Sequence, residues 1–165
     1  MLSVQIGDVR TFMHRFLLTD TFDGFRLTEA EIVREYTFSL KGGVPFGYYG
    51  EDEVEIPDVA EGENLPYGYL REMISEQIKG QRKPLSCRFV LSLPREGSDA
   101  GMVMDAPGTE AVKEFLLRID YDARGLRLTT GINYLTFTPQ RDAALLWDDW
   151  VQDFLKELQV DWTVL

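Results

Sequence analysis

Leu85-Ser86-Cys87-Arg88-Phe89-Val90-Leu91-Ser92-Leu93 is the stretch on which the fold class turns. Leu85, Cys87, Phe89, Leu91 and Leu93 fall on one side and Ser86, Arg88, Val90 and Ser92 on the other. That two-residue alternation is the mark of a strand with one buried face. Downstream, Phe115, Leu117, Ile119 and Tyr121 alternate again. Asp122-Ala123-Arg124-Gly125 suits a tight hairpin with Gly125 in a left-handed conformation. Leu126–Thr130 and Ile132–Thr138 then continue the sheet, with Gly131 expected to be a bulge. Upstream, Met1–Ile6 reads as a short strand with Leu2, Val4 and Ile6 on one face. Phe25–Leu40 fits two descriptions. Thr28 and Glu31 match a helical capping box, but Ala30, Ile32, Tyr36, Phe38 and Leu40 alternate, and the β-branched and aromatic content favours one long bent strand or two consecutive strands.

Three segments carry helical periodicity. After a capping Asp8, Val9, Phe12, Met13, Phe16 and Leu17 make one apolar stripe. Asn64 and Pro66 open a second helix, with Tyr67, Leu70, Met73, Ile74, Gln77 and Ile78 on its inner side and Gly80 closing it. Thr138 and Pro139 introduce the longest helix, whose stripe holds Ala143, Leu146, Trp147, Trp150, Val151, Phe154, Leu155 and Leu158. Val160, Trp162 and Val164 suit a terminal strand. Strands in runs, not in strict alternation with helices, imply an α+β protein. Its sheet is expected to be mainly antiparallel and built from hairpins, with about three amphipathic helices packed on it. Residues 1–165 are expected to form a single globular domain with mobile loops near 44–63 and 94–108.

The composition excludes several functions. Among 165 residues, 17 Lys and Arg face 28 Asp and Glu, a net charge of −11. Glu51–Glu63 alone holds seven acids and no base, so the acidity is largely local and leaves room for a basic patch elsewhere. Such a charge makes nucleic acid an unlikely partner and disfavours an anionic membrane surface. The longest apolar run, Ala143–Trp147, has five residues, against the roughly 20 needed to cross a bilayer. No apolar leader core opens the chain, and a cytoplasmic location is expected. One cysteine, Cys87, and one histidine, His14, rule out an intrachain disulfide and a Cys/His zinc site.

Few residues offer chemistry. His14 lies on the flank of the first helix with no assignable carboxylate or nucleophile beside it. Cys87 sits on the apolar side of its strand and reads as core. Thr19–Gly24 and Asp120–Gly125 only glance at a calcium loop: Ala30 and Gly131 stand where the terminal Glu belongs. Asp149, Asp153 and Glu157 form an acidic helical stripe, read as a solvated face. No phosphate-loop, dinucleotide or nucleophile-elbow motif occurs, so no catalytic residue, metal or cofactor is expected. The most distinctive feature is basic: Lys79, Arg82, Lys83 and Arg88 follow a helix C-terminus with no acid among them. A turn of this kind can hold a phosphate or carboxylate, although the helix dipole alone would account for Lys79.

Three stretches taken together resemble an uncharacterised bacterial family, a domain of unknown function. They are Asp20-Thr21-Phe22-Asp23-Gly24-Phe25 with Glu29-Ala30-Glu31-Ile32, Ile78-Lys79-Gly80-Gln81-Arg82-Lys83-Pro84-Leu85-Ser86, and Leu146-Trp147-Asp148-Asp149-Trp150. The resemblance covers nearly the whole chain. It implies a stand-alone bacterial protein and assigns no site.

Two functions follow as expectations. The first is a small cytoplasmic, non-catalytic binding or adaptor protein. Its protein partner, or a second copy of itself, would dock through Val160–Leu165, the Gly/aromatic stretch Val44–Gly50 or the acidic loop. The second is an anionic small-molecule or nucleotide-binding protein that uses the 79–88 basic turn.

Overall fold

The computed structural model describes residues 1–50, 59–95 and 107–165. In chain order the elements are β1 (Ser3–Ile6), α1 (Val9–Leu18), β2 (Arg26–Val33), β3 (Thr37–Lys41), α2 (Tyr67–Ile78), β4 (Ser86–Pro94), β5 (Val112–Asp122), β6 (Gly125–Tyr134), α3 (Asp142–Leu158) and β7 (Trp162–Val164). The strands form one seven-stranded sheet in the order β3-β2-β4-β5-β6-β1-β7, with every neighbouring pair antiparallel. The fold is therefore α+β. The ambiguous 25–40 segment forms two consecutive strands, β2 and β3. The terminal segment pairs with β1 of its own sheet, Trp162 opposite Ile6 and Val164 opposite Val4.

Strand alternation sorts the side chains onto two unlike faces. Leu27, Ala30, Ile32, Cys87, Phe89, Leu91, Phe115, Leu117, Ile119, Leu126, Leu128, Val4 and Ile6 are all buried in one core that also takes in side chains of all three helices. The other face carries Glu29, Glu31, Arg88, Arg118, Asp120 and Arg127, all half-buried or exposed.

Aromatic rings join the helices to that face. The Phe16 ring of α1 stacks on Tyr67 of α2 at 4.6 Å and meets Phe89 of β4 at 4.9 Å and Phe22 at 5.1 Å. From Phe22 the seam passes to Phe154, Trp150 and Trp147 of α3 and ends on Phe115 of β5. The polar tips are satisfied: Tyr67 Oη donates to the Phe16 carbonyl (2.9 Å), and Trp147 Nε1 to the Leu116 carbonyl (2.9 Å).

Capping follows local chemistry at the start of α1 and tertiary chemistry at the end of α2, and a long-range ion pair ties a turn to α2. Asp8 Oδ1 accepts from the Thr11 amide at 3.0 Å, as its position predicts. Asp23 grips Arg71 of α2 in a two-point ion pair, Nε to Oδ1 at 2.9 Å and Nη2 to Oδ2 at 3.2 Å, which ties the 19–25 turn to the start of that helix. At the end of α2, Arg34 from the β2–β3 turn donates to the carbonyls of Gln77 (3.0 Å) and Lys79 (2.8 Å). The cation at this terminus is Arg34, while Lys79 turns to Glu76. Gly80, at φ +151°, follows the capping residue Lys79, and a Cβ there would meet Arg34 Nη2 at 2.6 Å.

Three boundary expectations need correction. Gly131 is in register with Leu116 and is no bulge; the irregularity lies on the opposite strand between Val112 and Glu114, where Lys113 is the extra residue. β6 stops at Tyr134, short of Thr138. The last helix begins at Asp142 because Thr138 Oγ1 accepts from the Gln140 amide (3.2 Å), a local turn that holds the chain out of the helix. Of the expected loops, 51–58 and 96–106 lie outside the described residues. The described base of the first is tied down: Val44 and Val59 are buried, and Val44 N donates to the Glu63 carbonyl at 2.9 Å.

Gly42 is where this returning chain meets the sheet. Its N–H donates to Thr28 (2.9 Å), its carbonyl accepts from Leu65 (2.8 Å), and a Cβ would fall on the Leu27 carbonyl oxygen. Gly42→Ala is expected to cost at least about 3 kcal/mol in urea unfolding, since backbone must move. Gly24→Ala, whose Cβ meets nothing within 4 Å, is expected to stay within about 0.5 kcal/mol. Phe16→Ala is expected to cost about 3–5 kcal/mol. Equal losses for the two glycine variants would contradict the packing described.

Candidate functional site

The apolar stripe of α1 is wider than the core can cover. Phe12 and Phe16 are fully buried, whereas Val9, Met13 and Leu17, spaced i, i+4 and i+8, are only half-buried. They form one wall of a groove of about 520 Å³. Ile78 at the end of α2, Pro84, Cys87 at the start of β4 and Tyr121 at the end of β5 complete its lining. Arg10 and Lys83 are its two charged residues. The arrangement is an apolar trough with cations from two different segments, one turn of α1 and the turn before β4.

Of the four basic residues singled out in the sequence, the structure brings one to this groove. Lys83 lines it. Lys79 Nζ donates to Glu76 Oε1 at 2.7 Å, and that bond holds its ammonium protonated above the usual lysine range. Arg82 is exposed in the turn. Arg88 stands on the opposite face of the sheet, with Nε donating to Asp120 Oδ1 at 3.1 Å, and Asp120 also accepts from Arg118 at 2.6 Å. The reason is the strand period: within β4, Cys87 points to the core and so Arg88 cannot. Arg10 of α1 is the cation that joins Lys83. The signal for it was the place of Arg10 at the edge of an over-wide apolar stripe, three residues before Met13 and seven before Leu17.

Cys87 is buried, and desolvation pushes its thiol up to about 11, opposed weakly by the nearby charge of Arg34. A neutral thiol is a poor nucleophile at physiological pH. His14 is exposed on α1 and does not line the groove. Among the described residues no group of three or more His, Cys, Asp or Glu could hold a metal ion, and no helix is long and apolar enough to cross a membrane. What the groove can do chemically is desolvate an apolar body and pair an anionic end with a cation.

The sequence profile of a family of unknown function, DUF5721, matches residues 15–163, nearly the whole chain, and the chain belongs to that family. No curated protein and no solved structure matches it.

The position of Cys87 is open to direct measurement, because it is the one cysteine in the chain. Its reaction with methyl methanethiosulfonate is expected to be slow at pH 8 and to rise with a midpoint near 11. A midpoint at or below pH 9 would contradict the burial. The same shift sets a stability trend. Below pH 9 the thiol is protonated both folded and unfolded; between pH 9 and about 11 only the unfolded chain gives up the proton. Stability is therefore expected to fall as pH climbs through that window, and Cys87→Ala to flatten the fall.

Proposed function

We propose that this member of the DUF5721 family is a non-catalytic binding protein whose groove takes a small apolar molecule with an anionic end. The observation that carries the reading is the composition of the groove: Val9, Met13, Leu17, Ile78, Pro84 and Tyr121 supply an apolar lining, and Arg10 and Lys83 are its charged members. A cavity of about 520 Å³ falls within the range of small-molecule sites. A nucleotide fits this lining less well than a medium-chain carboxylate. Its base and ribose need several convergent hydrogen-bonding groups, and most of the groove wall is hydrocarbon. The bacterial cytoplasm belongs to the same proposal, supported by a single unpaired thiol and an acidic chain.

Calorimetric titration with decanoate and with decanol separates the two parts of the reading. Both are expected to bind saturably. Arg10→Glu with Lys83→Glu is expected to weaken decanoate by about tenfold and leave decanol within about twofold, since a rim charge acts on the charged end alone. Met13→Trp, which fills the trough, is expected to abolish both. Failure of both ligands to bind sinks the groove; equal effects of the rim variant on both sink its anionic preference.

A second reading, docking of a protein strand, is favoured by the place of β7 as the outermost strand of the sheet beside β1. Its unpaired side offers backbone groups to a partner strand or a second copy. Light scattering on the full chain and on a chain ending before Val160 tests self-pairing. A larger mass lost on truncation is expected, and a monomer in both cases rules it out.

A further inference from the structure

At the other end of β4, on the opposite side of the sheet from the groove, lies a second cavity of about 330 Å³ with a different character. Three cations reach it from three separate segments: Arg26 at the start of β2, Arg95 just after β4, and Lys113 in β5. Lys113 is the bulged residue between Val112 and Glu114, and bulges commonly re-aim a side chain beside a site. Two acids also line the cavity. Glu63 stands 3.9 Å from Arg26, and Glu114 is turned to Asn133, whose Nδ2 donates to it at 2.6 Å.

Neither guanidinium is used up by the protein. Arg26 spends Nη1 on the Asn64 carbonyl (2.7 Å), and Arg95 spends Nε on Thr109 Oγ1 (3.3 Å). A guanidinium has five N–H donors, so each keeps several. No ion pair involves Arg95 or Lys113 among the described residues. The floor adds an independent observation. Ser92, directly opposite Arg26 in the β2–β4 register, is fully buried, and its Oγ is the one buried side-chain polar atom among the described residues without a hydrogen-bond partner. A buried hydroxyl left unpaired costs free energy, which makes it a mark of a missing partner.

We infer that Arg26, Arg95 and Lys113, over the unpaired hydroxyl of Ser92, form a binding site for the phosphate group of a small phosphomonoester. Two forked guanidiniums and an ammonium match a dianionic tetrahedral oxyanion better than a planar carboxylate, which one fork satisfies. The cavity has room for more than the phosphate alone, so the ester's organic part is held beside it. This site is independent of the apolar groove. It draws on none of the groove's residues.

The full chain, labelled with 15N, is titrated with inorganic phosphate, glycerol 3-phosphate and citrate at constant ionic strength. Saturable shifts are expected for the amides of Ser92, Leu93, Arg95 and 112–114, tighter for glycerol 3-phosphate than for inorganic phosphate and absent with citrate. Arg95→Gln and the exposed Lys113→Gln are each expected to weaken glycerol 3-phosphate by about tenfold, the loss of one charge-assisted hydrogen bond. Arg82→Gln, at an exposed residue that lines neither cavity, is expected to leave glycerol 3-phosphate binding unchanged. The inference is overturned if neither phosphate compound shifts these amides saturably, if citrate binds as well as the ester, or if Lys113→Gln, which leaves the core untouched, binds unchanged. Equal affinity for inorganic phosphate and the ester reduces the site to one for free phosphate and overturns the ester assignment.

Discussion

The ring of Phe16 is the contact on which the rest of the molecule depends. It touches α2 through Tyr67, the centre of the sheet through Phe89, and the turn after α1 through Phe22, which passes the seam on to α3. A sheet with one apolar face has to be covered, and three short helices can cover it only if they are locked to one another as well as to the strands. The aromatic seam does both. Its one buried hydroxyl is used twice over: Tyr67 packs as a ring and donates to the carbonyl of the residue it stacks on. Burial keeps that phenol protonated well above the ordinary tyrosine range.

Both candidate sites arise at the margins of this arrangement. Phe12 and Phe16 draw α1 onto the sheet, and the same helix then carries Val9, Met13 and Leu17 past the covered area. The apolar groove is the uncovered remainder of a stripe that is too broad for its seat. The phosphate-type cavity has another origin. Its walls come from a bulge in β5 and from the chain that returns over β2 through Gly42, Leu65 and Asn64. Each site lies where regular pairing or regular packing gives out. Such positions can hold side chains that the core has not already consumed.

How much of this was legible in the sequence depended on the range of the interaction concerned. Cys87 as core, Asp8 as a cap and the Asp122–Gly125 hairpin are governed by neighbours within a few residues, and these readings agree with the structure. Gly131 misled because a glycine in a strand is as compatible with regular pairing as with a bulge, and the extra residue sat on the partner strand at Lys113. The basic run 79–88 looked like one patch because charge is counted along the chain. The β period sends Arg88 through to the other face, and Glu76 and Asp120 take up Lys79 and Arg88. Arg34, forty-five positions from Lys79, could not be read as the cap of α2 from any local pattern.

The sequence by itself determined the α+β class, the three helices and the strand faces. Those properties follow from periodicity and composition, which act over one or two turns of chain. Only the tertiary structure decided the strand order, the docking of the terminal segment on β1, and which charges share a cavity. Arg10 with Lys83, and Arg26 with Arg95 and Lys113, are brought together by the way seven strands are ordered and three helices are seated. Spacing along a chain carries no record of that geometry, because these groups are held by packing between elements distant in sequence.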